Sequence, residues 1–150
     1  MLAQMFAPAA VLALWTLVVL WWMAAVRFPA LSKVEDKSRI GKPGARGADL
    51  EGALPAKVNW KSHNHTHLHE QPTVFYIITV VLASTGPAAL DVTLAWVYVG
   101  LRIVHSLWQT LVNTVRVRLL IFATGSIVLT ILAVRAVMAT LFADPSLPPA

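Results

Sequence analysis

The sequence predicts an all-α membrane protein built as a bundle of four transmembrane helices. Of its 150 residues, 57% are hydrophobic and only 13% are charged, a balance too apolar for an ordinary soluble fold. The apolar residues gather in runs long enough to cross a bilayer, and the basic residues cluster between the first two runs. Because the length is that of one domain, we assign residues 1–150 to a single integral membrane domain.

The first predicted span covers about residues 6–28. It is almost continuously apolar, with Trp21 and Trp22 near its end and Arg27 at its boundary. It lacks a basic leading region and a small-residue cleavage site, so we interpret it as a retained span. Pro29 disfavours continuation of the helix, and the Gly- and Pro-rich segment 29–60 is predicted to be a solvated loop.

The distribution of basic residues predicts the topology. Eight of the twelve Lys and Arg residues lie between the first two apolar runs: Arg27, Lys33, Lys37, Arg39, Lys42, Arg46, Lys57 and Lys61. By the positive-inside rule the loop 29–60 is cytoplasmic and both termini are non-cytoplasmic. Without interleaved aromatic residues, the basic loop does not favour nucleic acid as a partner.

The second predicted span, about residues 65–85, includes polar sequence. Its purely apolar part, 73–85, has about 13 residues and is too short to cross the bilayer. Extending it backward carries Glu70 into the protein, with Pro72 either near the helix start or at a kink.

The remaining two spans are predicted at about residues 90–113 and 119–141. Gly86 and Pro87 separate the second span from the third, and the connection contains no Lys or Arg. The fourth span is apolar or small except for Arg135, which we expect to extend outward to the membrane surface.

One face of the third span is polar. At helical spacing, a narrow arc carries Tyr98, Arg102, His105, Gln109, Asn113 and Arg116. Arginine within a bilayer needs a partner, and Glu70 is the natural one for Arg102. This pair could fix the packing of two spans, take part in catalysis, or both. Because His105 lies on the same helical face as Arg102, it is a candidate pocket residue.

The histidines of the segment NHTHLHEQP invite a metal interpretation. His63, His67 and Glu70 would share one helical face, and His65 and His69 another. Two imidazoles can chelate zinc, but no third ligand or supporting shell is identifiable. We therefore assign no metal ligand and favour polar residues at a membrane interface, keeping metal or proton handling through His63–His69 as an alternative.

The combined motifs resemble the MAPEG family, the membrane-associated proteins in eicosanoid and glutathione metabolism. The chain carries E-x-P-x-x-F-Y from Glu70, L-R-x-x-H-S around Arg102, and N-x-x-x-x-R from Asn113 to Arg118. The resemblance covers nearly the whole chain and is that of a bacterial member. It implies a homotrimer of four-helix subunits in the bacterial inner membrane, with glutathione bound between subunits on the cytoplasmic side.

The same resemblance assigns site residues. It implies that Arg118, at the start of the fourth helix, holds the glutathione thiol as a thiolate, whereas the helical arc selects Arg116. We follow the family, because Arg118 should lie beyond a break between helices. The resemblance also implies a set of glutathione-binding positions, some of which carry a different residue in this chain. These candidates are Arg27, His67, Glu70, Arg102, His105, Gln109 and Asn113.

The chain departs from the family at three positions. His67 replaces an asparagine, His63 an arginine and Gln109 a tyrosine, so two glutathione contacts and a catalytic hydroxyl are affected. With no cysteine in the chain, any thiol must come from a small molecule. The leading hypothesis is a glutathione-dependent transferase or peroxidase acting on lipophilic electrophiles among membrane lipids. The alternative is a non-catalytic assembly or lipid-binding protein, and whether the chain is an enzyme stays open here.

Overall fold

The computed structural model describes residues 2–34, 42–44 and 46–142, and these residues form α-helices joined by short connections. The elements, in chain order, are α1 (Leu2–Ser32), a 3-10 helix (Gly47–Leu50), α2 (Ala56–His67), α3 (Gln71–Ser84), α4 (Ala89–Leu111) and α5 (Val115–Leu141). The described chain is all-helical, as the sequence predicts.

Three helices are long and apolar enough to cross a membrane within the described residues: α1, α4 and α5. α3 is equally apolar but has 14 residues, which gives it a length of about 21 Å. It is therefore shorter than the hydrocarbon core of a bilayer, which is about 30 Å thick.

α1 extends further than the sequence predicts. The expectation that Pro29 ends it is wrong, because the helix continues for one more turn to Ser32. A proline in the last turn of a helix removes few hydrogen bonds. After Ser32 the Lys33 amide donates to the Ala30 carbonyl and the Val34 amide donates to the Leu31 carbonyl. The predicted loop 29–60 likewise contains ordered structure, the 3-10 helix and the start of α2.

The predicted helix over 65–85 is interrupted. α2 ends at His67 and α3 begins at Gln71, with Glu70 outside helical geometry at φ −86° and ψ −94°. Pro72 explains the break, because it cannot donate to the carbonyl of Leu68 and its ring would clash with it. The prediction that His63, His67 and Glu70 share one continuous helical face is therefore wrong. The turn between α2 and α3 nevertheless brings Glu70 close to His67.

A second break separates α4 from α5. Asn113 has φ 56°, a left-handed conformation, and its amide donates to the carbonyl of Trp108 at 2.7 Å. Asparagine tolerates this conformation better than other non-glycine residues. Thr114 then leads into α5, so Arg118 belongs to a different helix from Arg102.

The core lies around α4, which packs on α1, α2 and α5. Phe75 of α3 and Tyr98 of α4 are fully buried with ring centroids 4.6 Å apart. Leu12 of α1 and Leu132 of α5 complete this layer from the other two sides. Large apolar residues on the outer faces of α1 and α5 remain exposed, as expected for helices that face lipid.

At the end of the bundle where α4 begins, Arg135 forms an ion pair with Asp91. The Arg135 Nε donates to Oδ1 and Nη2 donates to Oδ2 at 3.3 Å, while Asp91 also accepts from the Ala88 amide. This ion pair is compatible with the expected extension of Arg135 toward the membrane surface, and it gives Arg135 a partner that the sequence did not indicate. Asp91 is buried, so its carboxylate needs such a partner.

Candidate functional site

A cavity of about 560 Å³ opens at the end of the bundle where α2 and α4 end and α5 begins. Its size falls in the range of about 300–1,000 Å³ that is usual for small-molecule sites. The lining residues are Ala48, Glu51, His63, Thr66, His67, Glu70, His105, Gln109, Val115, Arg118, Leu119 and Phe122. Five of the eight site residues predicted from the sequence are among them.

Arg118 lines the cavity from the first turn of α5. Its Nη1 donates to the side-chain oxygen of Asn113 at 2.7 Å, so the residue that ends α4 orients the guanidinium. Since the amino end of a helix carries partial positive charge, Arg118 and α5 together favour an anion at this wall. Arg116 is exposed and does not line the cavity, which agrees with the choice of Arg118 over the helical arc.

His67 and Glu70 form a second polar pair in the lining of the cavity. The His67 Nδ1 and the Glu70 Oε2 are 2.6 Å apart, and the side chains are 23% and 60% exposed. The imidazole of His67 packs at 5.1 Å from the ring of His105 and 5.4 Å from that of Phe122, measured between centroids. The three contacts fix both the position and the plane of the His67 ring.

Arg102 does not form the predicted ion pair with Glu70. Among the described residues no ion pair joins them, and Arg102 Nη2 instead donates to the His67 carbonyl at 2.9 Å. The break after α2 explains the difference, because Glu70 then lines the cavity and the His67 carbonyl keeps only a 3.4 Å bond from the Glu70 amide. The negative end of the α2 dipole then attracts the guanidinium. Arg102 is only 2% exposed and supports the cavity wall from behind.

The floor of the cavity is formed by two buried residues of α4, His105 and Gln109. The side-chain oxygen of Gln109 has no hydrogen-bond partner within the described part of the chain. This oxygen has almost no accessible surface, so a ligand donor reaches it only if the Gln109 side chain rotates. Such a contact would be stabilising, because a buried acceptor without a partner is costly.

Arg27 acts outside the cavity. Its Nη1 donates to the Ser62 hydroxyl at 2.6 Å, and its Nη2 donates to the Gly47 carbonyl. This holds the 3-10 helix against the bundle, and the chain beyond it supplies Glu51 to the cavity mouth. Glu51 in turn pairs with His63 at 2.7 Å.

The sequence does not single out a buried polar network behind the cavity. Asn64 donates to the Ser106 hydroxyl at 2.7 Å and to the Thr110 hydroxyl at 2.8 Å, and Trp15 donates to Ser106 at 3.0 Å. These bonds join α1, α2 and α4 at the depth of the site. Asn64 lies within the segment of closely spaced histidines. Its small side chain and amide group suit a buried contact between helices.

The histidines do not converge on a metal site in the ranges that the structure describes. His63 pairs with Glu51 and His67 pairs with Glu70, while His65 stacks on His69 at 4.6 Å between ring centroids. The four imidazoles of this segment therefore divide among three separate contacts.

The cavity combines groups suited to a small polar ligand with mixed charge. Arg118 favours an anionic group, Glu70 a cationic one, and Gln109 a neutral donor. Leu119 and Phe122 add an apolar side next to these polar groups. Such a lining suits a ligand that carries both charged and apolar groups.

Comparison with known proteins agrees with this architecture. No curated protein and no solved structure matches the chain significantly. The model of the MAPEG family matches residues 5–138, which is most of the chain and includes every residue that lines the cavity. Together with the three apolar helices, this match identifies an integral membrane protein that belongs to the MAPEG family.

Proposed function

We propose that the protein is a glutathione-dependent transferase or peroxidase that acts on lipophilic electrophiles. The observation that carries the proposal is the position of Arg118, in the wall of a cavity and beside the amino end of α5. The family includes glutathione-dependent enzymes as well as non-catalytic members, so membership alone does not decide between them.

Arg118 is the proposed thiolate-stabilising residue. A free thiol is mostly protonated near neutrality, and a nearby cation increases its anionic fraction. A guanidinium suits this role because it does not lose its own proton. The thiolate sulfur is the reactive nucleophile, and the membrane raises the local concentration of an apolar electrophile.

The remaining polar groups suit the other parts of the glutathione molecule. The exposed carboxylate of Glu70 can receive the ammonium group, and Gln109 can accept a peptide N–H. We propose direct contacts from His67, His105 and Gln109. Three further residues would act indirectly. Asn113 would hold Arg118 in place, Arg102 the backbone of His67, and Arg27 the mouth of the cavity.

The proposed assembly is a homotrimer with four spans in each subunit. α3 would be the fourth span, extended at its cytoplasmic end by the turn 68–70, beside α1, α4 and α5. Cationic residues cluster at the cavity end of the bundle, which supports a cytoplasmic opening in a bacterial inner membrane and both termini on the opposite side. The exposed apolar faces of α1 and α5 provide surface for lipid and for neighbouring subunits.

A non-catalytic role is the second candidate, and Gln109 favours it. The residue at this position reaches the cavity floor but carries an amide where the resemblance implies a phenolic hydroxyl. An assembly or lipid-binding member would keep the fold and the ion pairs without thiol activation.

Thiolate formation tests the proposal. Purified parent protein in detergent is titrated with glutathione while the ultraviolet absorbance of the thiolate is recorded, alongside Arg118→Leu, Arg118→Lys and Arg116→Leu. We expect a thiolate signal in the parent, none in Arg118→Leu and a reduced one in Arg118→Lys, because an ammonium is a point charge and not a planar fork.

Arg116→Leu is the matched control. It removes the same charge two residues away, outside the cavity, and should leave the thiolate signal unchanged. A parent without any thiolate signal would reject thiol activation and favour the non-catalytic role. A signal lost equally in Arg116→Leu would show that Arg118 has no specific role.

A further inference from the structure

We propose that His67 accepts the proton of the glutathione thiol and that Glu70 is the residue that positions it. This inference rests on the proposed function and adds a second group to it. Arg118 can stabilise a thiolate but cannot take up the proton that the thiol loses, because a guanidinium is already fully protonated. The cavity holds a group that can.

The hydrogen bond between His67 and Glu70 sets the tautomer. A carboxylate only accepts hydrogen bonds, so at 2.6 Å the His67 Nδ1 must carry a proton and donate it. The other ring nitrogen, Nε2, then has a free lone pair. Within the described residues no donor binds this nitrogen. His67 is therefore arranged as a base, in the way that a carboxylate orients a catalytic histidine.

The surroundings keep the ring in this orientation. His105 and Phe122 pack on it from α4 and α5, with ring centroids at 5.1 Å and 5.4 Å. The backbone of the same residue is held by Arg102. Both His67 and Arg118 line the cavity, so one bound thiol can lie between a base and a cation.

The charges facing His67 come from each element packed against it. Glu70 lies on the turn after α2, Arg102 and His105 on α4, and Arg118 on α5. Before the thiol ionises, the two guanidinium groups favour the neutral imidazole. Once a thiolate forms, the thiolate and Glu70 both stabilise the imidazolium, so a thiolate and an imidazolium are favoured as a pair.

The proposed step balances in protons and electrons. The S–H bond of glutathione breaks, the proton forms a bond to His67 Nε2, and the electron pair stays on sulfur beside Arg118. When the sulfur adds to an electrophilic carbon of an unsaturated substrate, the displaced electron pair takes the proton back from the imidazolium. His67 returns to its neutral form, and no further reactant is required.

The count of protons released on binding distinguishes this step from activation by Arg118 alone. Glutathione is added to the protein in weakly buffered detergent at about pH 8, where a reference imidazole is neutral and a reference thiol is still largely protonated. Thiolate absorbance and an indicator dye are read together. If His67 takes the proton, the parent forms thiolate with almost no proton released. If the proton goes to water, one proton appears for each thiolate.

His67→Gln should form less thiolate, and each thiolate that forms should release one proton. His65→Gln is the matched control, the same change on the same helix at a residue that stacks on His69 outside the cavity, and should behave as the parent. His67→Asn serves as a second variant if His67→Gln does not fold. Glu70→Gln should lower the thiolate fraction while proton retention persists.

A parent that forms thiolate and releases one proton for each would overturn the role of His67 while leaving the proposed function intact. A parent that forms no thiolate would reject both. Equal proton counts in the parent and His67→Gln would also exclude His67 as the acceptor.

Discussion

Asn113 shows how one residue can combine a backbone role with a site role. Its left-handed conformation ends α4, and its side-chain oxygen accepts from Arg118 five residues later. The direction in which α5 leaves and the orientation of the guanidinium thus depend on the same side chain.

Two substitutions separate these roles. Asn113→Gly keeps the left-handed conformation but removes the acceptor, so the fold should persist while glutathione binds about tenfold more weakly. Asn113→Ala loses the acceptor and also adds backbone strain, so its free energy of unfolding should fall by about 1 kcal/mol further. Thermal unfolding in detergent and glutathione titration measure the two effects. Equal unfolding of the two variants would mean that the backbone conformation contributes nothing.

At the residue scale the sequence predicts which residues line the cavity better than it predicts which side chains pair with each other. Arg118 is selected because a helix break should separate it from the polar arc, and that break exists. The pairing of Arg102 with Glu70 fails, because a charge that needs a partner can be satisfied by backbone carbonyls, which every residue carries. Residue type alone cannot distinguish these two solutions.

At the scale of the helices, the junction between α2 and α3 depends on Arg102. The guanidinium donates to the carbonyl of His67 at the end of α2, where the helix dipole is negative. Glu70 lies on the same junction but is 60% exposed at its side chain, and its charge is therefore largely screened by water.

A double-mutant cycle tests this arrangement. Arg102→Leu should lower the free energy of unfolding by about 1–3 kcal/mol, because it leaves the partly buried His67 carbonyl with only the 3.4 Å bond from the Glu70 amide. Glu70→Gln should not restore the loss, and the two changes should add to within about 0.5 kcal/mol. Chemical unfolding in detergent gives the values. Clear recovery of stability in the double variant would instead indicate a direct ion pair.

The helix boundaries show what a sequence pattern can and cannot supply. Apolar runs identify α1, α4 and α5, because length and hydropathy act on each helix independently. The interruption before α3 could not be located in the same way, since the sequence allowed Pro72 either a helix start or a kink. In the structure Pro72 lies at a helix start, and α2 packs against α4 through Asn64 and Arg102.

At the scale of the whole molecule, charge divides the two ends of the bundle. Arg27, Lys61 and Arg118 lie at the end that carries the cavity, while Asp91 and Arg135 pair with each other at the opposite end. Among the described residues, only the first end therefore presents an excess of positive charge, and the predicted cytoplasmic orientation of this end rests on that excess.

Single cysteines test the orientation, because the chain contains none of its own. A cysteine at Lys42, which is exposed in the segment between α1 and α2, should react with an impermeant thiol reagent only from the cytoplasm. A cysteine at Ala88, exposed before α4, should react only from the other side. Labelling of intact cells and of inverted vesicles gives the two readings. The reversed pattern would place the cavity on the non-cytoplasmic side.

The bond between Arg102 and the His67 carbonyl also bears on how this site can evolve. The bond uses the backbone of His67, and any amino acid at that position offers the same carbonyl. The side chain can therefore be exchanged without losing this tie between α2 and α4. Divergent members of a family can therefore carry asparagine, histidine or another residue at position 67 with little loss of folding free energy. Position 67 is thus a place where new chemistry can arise by single substitutions.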